Sequence, residues 1–420
     1  MSVPNSTANP IANPDQVAAE DQVIRLWARP DVQAARRNVG FLFGLAYGAE
    51  APAEMRSSFE SAMDEYTTNY LFKAAASDAA HPRIVRCFMA PYYWFGRDVP
   101  GARMGGDNPD NCYRLTGIEH TGCYRLTVVP RATEPVSTTF TLVANYGTSK
   151  TVQTLGAENA QRNNDGSFHI DIDSSPADGR VNHLQSTPET KFLFIRDSLS
   201  DWTHETPYAL RIERLNPPTI PPITDDEAAA RAIAAMVDDV PLYYWFTRLN
   251  TGKPVNTLAS PIPSGALGGL VSQAGTQGWF RLGDDEAIIV RIDPAGAGYT
   301  AFSLVDWWYR SIDAETTFSS LTIAQGHVNQ DGTFTVIVSA HDPGVQNWIE
   351  TRFHHEVLVI NRWQSLPTSM VRNGPRILEA RLVPFARIRD EIDDMPRVAA
   401  AERVTQRNAR REGYKRRYAE

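Results

Sequence analysis

A set of short motifs occurs twice, in the same order, within these 420 residues. Asn164-Asp165-Gly166-Ser167-Phe168 has its counterpart in Gln330-Asp331-Gly332-Thr333-Phe334. In each copy the Asp-Gly pair supplies the positive-φ backbone of a tight hairpin. Each pair feeds a run in which alternate residues are apolar: Phe168, Ile170 and Ile172, then Phe334, Val336 and Val338. That period of two places the apolar side chains on one face of a strand. Asn182 then matches Asn347, and residues 191–196 match 357–362. Tyr92-Tyr93-Trp94-Phe95 reads again as Tyr243-Tyr244-Trp245-Phe246. Separations of roughly 150 to 166 residues are far longer than a solenoid period of about 20–50 and imply two homologous domains. The predicted fold is mostly β with flanking helices (α+β), with two antiparallel β-sandwich-like units from an internal duplication.

Residues 1–83 read as a helical region, because Met55, Phe59, Met63, Tyr66 and Tyr70 recur at three- and four-residue steps. Gly40, Gly44 and Gly48 fall on one helix face inside an apolar run about half as long as a bilayer span, which predicts close helix packing. The first β unit covers 84–215. Residues 216–223 form a linker whose prolines cannot donate to a helix or a ladder. Thr224 and Glu227 make a capping box, opening a helix predicted to run to about Val237 at the start of the second unit, 224–385. The tail, 386–420, carries Asp390, Glu391, Asp393 and Asp394 ahead of a basic stretch from Arg403 to Arg417. It reads as a helix, either a solvated end or an arm that docks on another subunit.

A formal net charge of -8 argues against a broad nucleic-acid surface. The polar, proline-containing start lacks the charged and apolar regions of a secretory signal. Three cysteines suit a reducing, cytoplasmic setting and lack the paired spacing of a zinc site. Nucleotide, flavin and metalloprotease motifs are absent, so neither cofactor nor metal is implied.

Polar and aromatic residues concentrate at two turns, 105–114 and 342–348, the second followed by His354 and by Asn361-Arg362-Trp363. Asx residues and prolines make such turns unaided. The same rigidity can hold a carboxylate beside Tyr113 and Arg114 for proton transfer. His354 and His355, adjacent in sequence, are expected on opposite faces of a strand. The two segments resemble the signatures of a widespread bacterial family of uncharacterised proteins, one of the domain-of-unknown-function families. Its Gly-Asp-Asn-Pro-Asp-Asn-x-Tyr element matches Gly106 to Asn111 with Tyr113, ahead of the strand Tyr124-Arg125-Leu126. Its Asp-Pro-Gly-x-x-Asn-Trp element matches Asp342 to Trp348, ahead of a strand ending in Arg362-Trp363. The resemblance spans roughly residues 90 to 385 and implies a two-part β-rich core without fixing a reaction. It breaks at Val129-Pro130-Arg131, where relatives carry a Gly-Arg-Gly turn.

The expected function is a cofactor-independent lyase or isomerase acting by general acid–base chemistry on a small hydrophobic, aromatic catabolite, releasing water or a small aldehyde. Asp107 or His354 is the expected base, with Tyr113 and Arg114 stabilising developing charge. Tyr92, Tyr93, Trp94, Asn111, Tyr243, Tyr244, Asn347, Trp348 and Arg362 are the expected binding residues. The alternative is a non-catalytic carrier of hydrophobic molecules or an assembly module, with no nucleic-acid or membrane partner, and homo-oligomeric through its terminal helices.

Overall fold

The computed structural model describes residues 9–47, 50–145, 150–267, 269–352, 354–367, 369–392 and 394–420. Four helices lead: α1 (Pro14–Trp27), α2 (Pro30–Tyr47), α3 (Ala53–Arg56) and α4 (Phe59–Ala75). Met55, Met63, Tyr66 and Tyr70 are buried as their spacing predicts, and Phe59 is half-buried. The glycine face of α2 lies against α4. A Cβ on Gly40 would sit 3.5 Å from Met63, and one on Gly44 would sit 3.6 Å from Phe59. Gly48, the third of that series, lies outside the described residues.

The first unit contains β1 (Val85–Cys87), β2 (Tyr92–Trp94), β3 (Arg97–Val99), β4 (Asn111–Gly117), β5 (Tyr124–Val129), β6 (Ser137–Val143), β7 (Thr151–Gly156), β8 (Phe168–Asp173), β9 (His183–Gln185), β10 (Phe192–Ser198) and β11 (Ala209–Arg214). One sheet has the order β1-β4-β10-β6-β7 and the facing one β11-β5-β8-β9, while β2 and β3 form a separate hairpin. After α5 (Asp225–Thr251) the second unit supplies β12 (Ile262–Pro263), β13 (Ala274–Arg281), β14 (Glu286–Asp293), β15 (Tyr299–Val305), β16 (Ser320–Thr322), β17 (Phe334–Ser339), β18 (Trp348–Glu350), β19 (Glu356–Gln364) and β20 (Arg376–Pro384). Its sheets run β12-β13-β19-β15-β16 and β18-β17-β14-β20, so every strand of one sandwich has its equivalent in the other.

The repeated residues build the same local devices. Gly166 and Gly332 both have positive φ, 81° and 80°. Asn182 closes a reciprocal pair with the backbone of Gln161, at 2.8 and 2.7 Å, and Asn347 does the same to His327 at 2.7 Å on each side. Each asparagine thereby starts the unusual parallel pairing of a short strand, β9 on β8 and β18 on β17. The copies differ on their outer faces. In β8 Asp171 points outward, whereas its equivalent Ile337 packs with Ile289, Val345, Val383, Ile388 and Met395. The segment after β20, including α6 (Ile388–Glu391), covers that face and explains why β17 is buried on both sides.

The capping box forms, with Glu227 N–H donating to the Thr224 hydroxyl at 3.2 Å and Thr224 N–H to the Glu227 carboxylate at 2.7 Å. The helix it opens does not stop near Val237 but continues to Thr251, past Pro241. Packing of α5 against α2 and α4 outweighs the one missing backbone donor. The second Tyr-Tyr-Trp-Phe consequently lies in a helix, while the first forms β2 and its turn. These segments are therefore not structural equivalents. The tail helix α7 (Ala400–Lys415) docks on its own chain. Arg403 pairs with Asp342 at 2.9 Å, Arg407 with Glu350 at 2.9 Å, and Arg410 donates to the Ser320 hydroxyl at 2.7 Å. Asp393 of the acidic stretch ahead of it lies outside the described residues. No helix among the described residues is long and apolar enough to cross a membrane.

Candidate functional site

The loop before β4 holds the polar cluster and carries it into the junction between the two sandwiches. Gly106, at φ 67°, donates its N–H to the Tyr309 carbonyl at 2.8 Å, and a Cβ there would sit 3.0 Å from the Tyr309 ring. Asp107 accepts from Ser311 twice, from the backbone N–H at 2.9 Å and from the hydroxyl at 2.6 Å. The Asn108 amide donates to the Tyr299 hydroxyl at 2.7 Å, and its N–H donates to the Tyr113 hydroxyl at 3.0 Å. Asp110 accepts from the Tyr299 hydroxyl at 2.7 Å and from the Trp202 indole at 3.0 Å. From the second unit Arg362 donates to the Gly106 carbonyl and, at 2.8 Å, to the Ser303 hydroxyl.

A second layer of charge ties this junction to α4. The Glu65 carboxylate accepts from the Arg103 guanidinium at 2.6 and 2.7 Å and from Arg310 at 2.8 Å. Arg310 also donates to Asp306 at 3.0 Å, and Arg103 donates to the Ser311 carbonyl at 3.0 Å. Burial alone pushes the Glu65 carboxyl up, but the two guanidiniums hold it below its ordinary value.

The four residues expected to act on substrate do not converge. Tyr113 and Arg114 are neighbours on β4 and point to opposite faces. Tyr113 packs on Phe88 and Phe194, with ring centroids 5.1 and 5.6 Å away, and burial raises its phenol. Arg114 is spent inside the first sandwich, donating to Asp197 and, at 2.7 Å, to the Tyr208 carbonyl. His354 lies in the connection between β18 and β19 and not on a strand, half-buried, with its protonation suppressed by burial. His355 bonds Glu54 at 2.9 Å, and the Glu54 hydrogen bond raises its pKa. The expected opposition of these two histidines across a strand is replaced by a turn.

The expected binding residues scatter likewise. Tyr92 and Trp94 hydrogen-bond the same carboxylate, Glu20, at 2.5 and 2.7 Å, while Tyr93 is exposed. Asn111 is buried beside Asn108. Asn347 is the strand tie described above, and the Trp348 indole donates to the Ser339 carbonyl at 3.2 Å with Arg403 over its ring. Tyr243 and Tyr244 lie in α5, and their side chains are outside the described residues. Sequence reasoning missed Glu20, Glu65, Arg103 and Arg310, which carry no motif. Lys73 was also missed, although it extends the stripe of Tyr66 and Tyr70 by three residues. Among the described residues no group of three or more His, Cys, Asp or Glu is placed to hold a metal ion.

Asp107 gives the junction a pH signature. Burial raises its pKa from 3.8 to about 6. A carboxyl raised on folding contributes stability that is fully present below pH 3.8 and lost as pH rises through about 6. Asp107→Asn keeps an acceptor for the Ser311 N–H and offers its amide to the hydroxyl. Urea midpoints across pH 4–7 are expected to show the variant gaining about 1–3 kcal/mol on the parent as pH rises. A constant difference across that window would show that Asp107 does not titrate there.

An apolar cleft of about 510 Å³ between α1 and the β2–β3 hairpin is lined by Ile24, Trp27, Pro91, Tyr92, Val99 and Pro100, with Asp98 at one side. No family model matches the sequence, and no curated protein matches it. In fold the chain is similar to an uncharacterised protein from Burkholderia cenocepacia, at 23% identity and a TM-score of 0.67, over 88% of this chain and 100% of that one. A Vibrio parahaemolyticus protein aligns at 9% identity and a TM-score of 0.38, over 65% of this chain and 90% of that one, too distant to bear on the argument. The first likeness supports the architecture of a duplicated β-sandwich with terminal helices.

Proposed function

We propose that the chain is an assembly module that pairs with a second copy of itself through α2 and α5. The observation that carries this reading is an apolar patch of Phe41, Leu42, Leu45, Trp245 and Leu249, each between 61 and 68% exposed. The two helices run parallel. Arg29 meets Asp226 at their starts (2.7 Å) and Arg248 meets Glu50 at their ends, so all five side chains gather at one end of the pair. Exposed area of this kind is on the order of 500 Å² per copy, towards the upper end of the largest apolar patch that a monomer usually leaves to water. Two copies related by a twofold axis bury about 1,000 Å², the lower bound of a specific interface.

Light scattering on the purified chain at tens of micromolar is expected to give a dimer mass. The double variant Phe41→Glu, Leu45→Glu is expected to give a monomer with an unchanged circular dichroism spectrum. A monomeric parent at that concentration overturns the proposal.

A second reading, carriage of a flat hydrophobic molecule, is favoured by the cleft that Tyr92 and Trp27 line, whose volume falls in the range of ligand sites. Quenching of tryptophan fluorescence by polycyclic compounds, lost in Trp27→Leu, supports a carrier. Consumption of such a compound, at least tenfold slower in both Asp107→Asn and His354→Gln, supports the lyase instead.

A further inference from the structure

Asp-Gly occurs three times in the chain, at Asp165-Gly166, Asp178-Gly179 and Asp331-Gly332. In such a pair the glycine nitrogen can attack the aspartate side-chain carboxyl, because no Cβ shields it. Two of the three pairs are held away from that reaction at both ends. Gly166 N–H donates to the Asn163 carbonyl at 3.0 Å, and Gly332 N–H donates to the Asn329 carbonyl at 2.9 Å. Asp165 accepts from the Ser167 N–H at 3.0 Å and from its hydroxyl at 2.6 Å. Asp331 accepts from the Thr333 N–H and hydroxyl at the same two distances, and Arg291 pairs with it besides. The Ser167 and Thr333 hydrogen bonds hold both carboxyls below the ordinary aspartate value, so little of the neutral, reactive acid is present.

Asp178-Gly179 lies on the exposed connection between β8 and β9 and lacks these ties. Among the described residues its carboxylate takes no hydrogen bond and no ion pair, and the Gly179 N–H has no acceptor. The neighbouring Arg180 is occupied by Asp173, at 2.7 and 3.1 Å. A Cβ built on Gly179 meets nothing within 4 Å, so the turn has room to rearrange. The equivalent connection of the second unit, between β17 and β18, carries Asp342 ahead of Pro343, whose nitrogen has no hydrogen to lose.

We propose that Asp178-Gly179 is a site of spontaneous isoaspartate formation, and so a substrate for a methyltransferase that recognises isoaspartyl carboxylates. The Gly179 nitrogen attacks Asp178 Cγ, and the amide proton leaves with the carboxyl hydroxyl as one water. The five-membered imide that results takes one water back. Opening between Cγ and nitrogen restores aspartate, whereas opening between nitrogen and the main-chain carbonyl leaves the chain running through Cγ. No electron donor or acceptor is needed. The main chain is then one atom longer inside the turn that Arg180 N–H closes on the Ala177 carbonyl at 2.7 Å. The former main-chain carboxyl becomes the side group, on an exposed loop where a modifying enzyme can reach it.

The test incubates the full chain at pH 6 and 37 °C for several weeks. Labelled methyl groups transferred from S-adenosylmethionine by an isoaspartyl methyltransferase count the product. Peptide mapping gives a rate for each Asp-Gly pair, with deamidation at Asn373-Gly374 set apart by its gain in mass. Asp178 is expected to convert at least tenfold faster than Asp165 or Asp331. In strong urea the three rates are expected to converge, since the ties are gone. Gly179→Ala, which shields the nitrogen, is expected to slow the reaction at Asp178 at least tenfold. Equal rates at the three pairs in the folded chain overturn the proposal, as do a lead that survives urea and a rate that Gly179→Ala leaves unchanged.

Discussion

Glu65→Ala is expected to destabilise the chain by about 3–5 kcal/mol, among the largest effects of any single substitution in the structure. The carboxylate takes three hydrogen bonds from Arg103, including one from its backbone N–H at 3.0 Å, and one from Arg310. Its removal leaves Arg103 with only the Ser311 carbonyl among those partners, while Arg310 keeps Asp306. An uncompensated buried guanidinium is costly because the lost attraction acts where water screens poorly. Part of the loss is recovered at Asp107, whose ionisation Glu65 opposes and Arg103 favours. The double variant Glu65→Ala, Asp107→Asn removes that recovery and is expected to lose more than the two single effects added. Urea unfolding of the four proteins at pH 7 measures the coupling. An additive cycle would mean that the two carboxyls do not sense each other.

Asp110→Ala is the second large effect, about 3 kcal/mol. Asp110 is fully buried, and its carboxylate joins three parts of the chain. Trp202 donates to it from the first unit, Tyr299 donates from the second, and the tail supplies the positive charges of Arg410 and Arg417. Burial raises its pKa, and these partners oppose the rise. The alanine variant leaves an indole N–H and a phenol hydroxyl without their acceptor, each costing about 1–3 kcal/mol. Tyr299→Phe removes one donor and leaves Trp202 in place, so about half the effect is expected. Equal losses would mean that the phenol holds the whole node.

Much of the architecture was legible because duplication leaves ordered pairs. The Asp-Gly turns, the alternation after them, Asn182 with Asn347 and the Thr224 cap each became the element that their residues imply. The strand-starting role of the two asparagines was hidden, since parallel pairing has no local cue. The Tyr-Tyr-Trp-Phe repeat misled because four aromatic residues fit either a hairpin or a helix, and long-range packing decides which. At the candidate site the polar residues of 105–114 were found but their surroundings were not. Nothing local distinguishes a turn that opens to solvent from one that a second domain covers. Covering partners such as Tyr299, Tyr309 and Ser311 lie about 200 residues away and belong to no motif. The tail was equally ambiguous: a basic helix reads as solvated until Asp342 and Glu350 are seen opposite it.

The hydrogen bonds of Asp107, Asn108 and Asp110 lock the two duplicated sandwiches into one cooperative body. Differential scanning calorimetry tests it most directly, by comparing the measured unfolding enthalpy with the van't Hoff value from the shape of the transition. A single transition with a ratio near one is expected for the parent chain, and two resolved transitions are expected for Asp110→Ala. Two independent transitions in the parent chain would show that the sandwiches unfold separately and that these hydrogen bonds do not couple them.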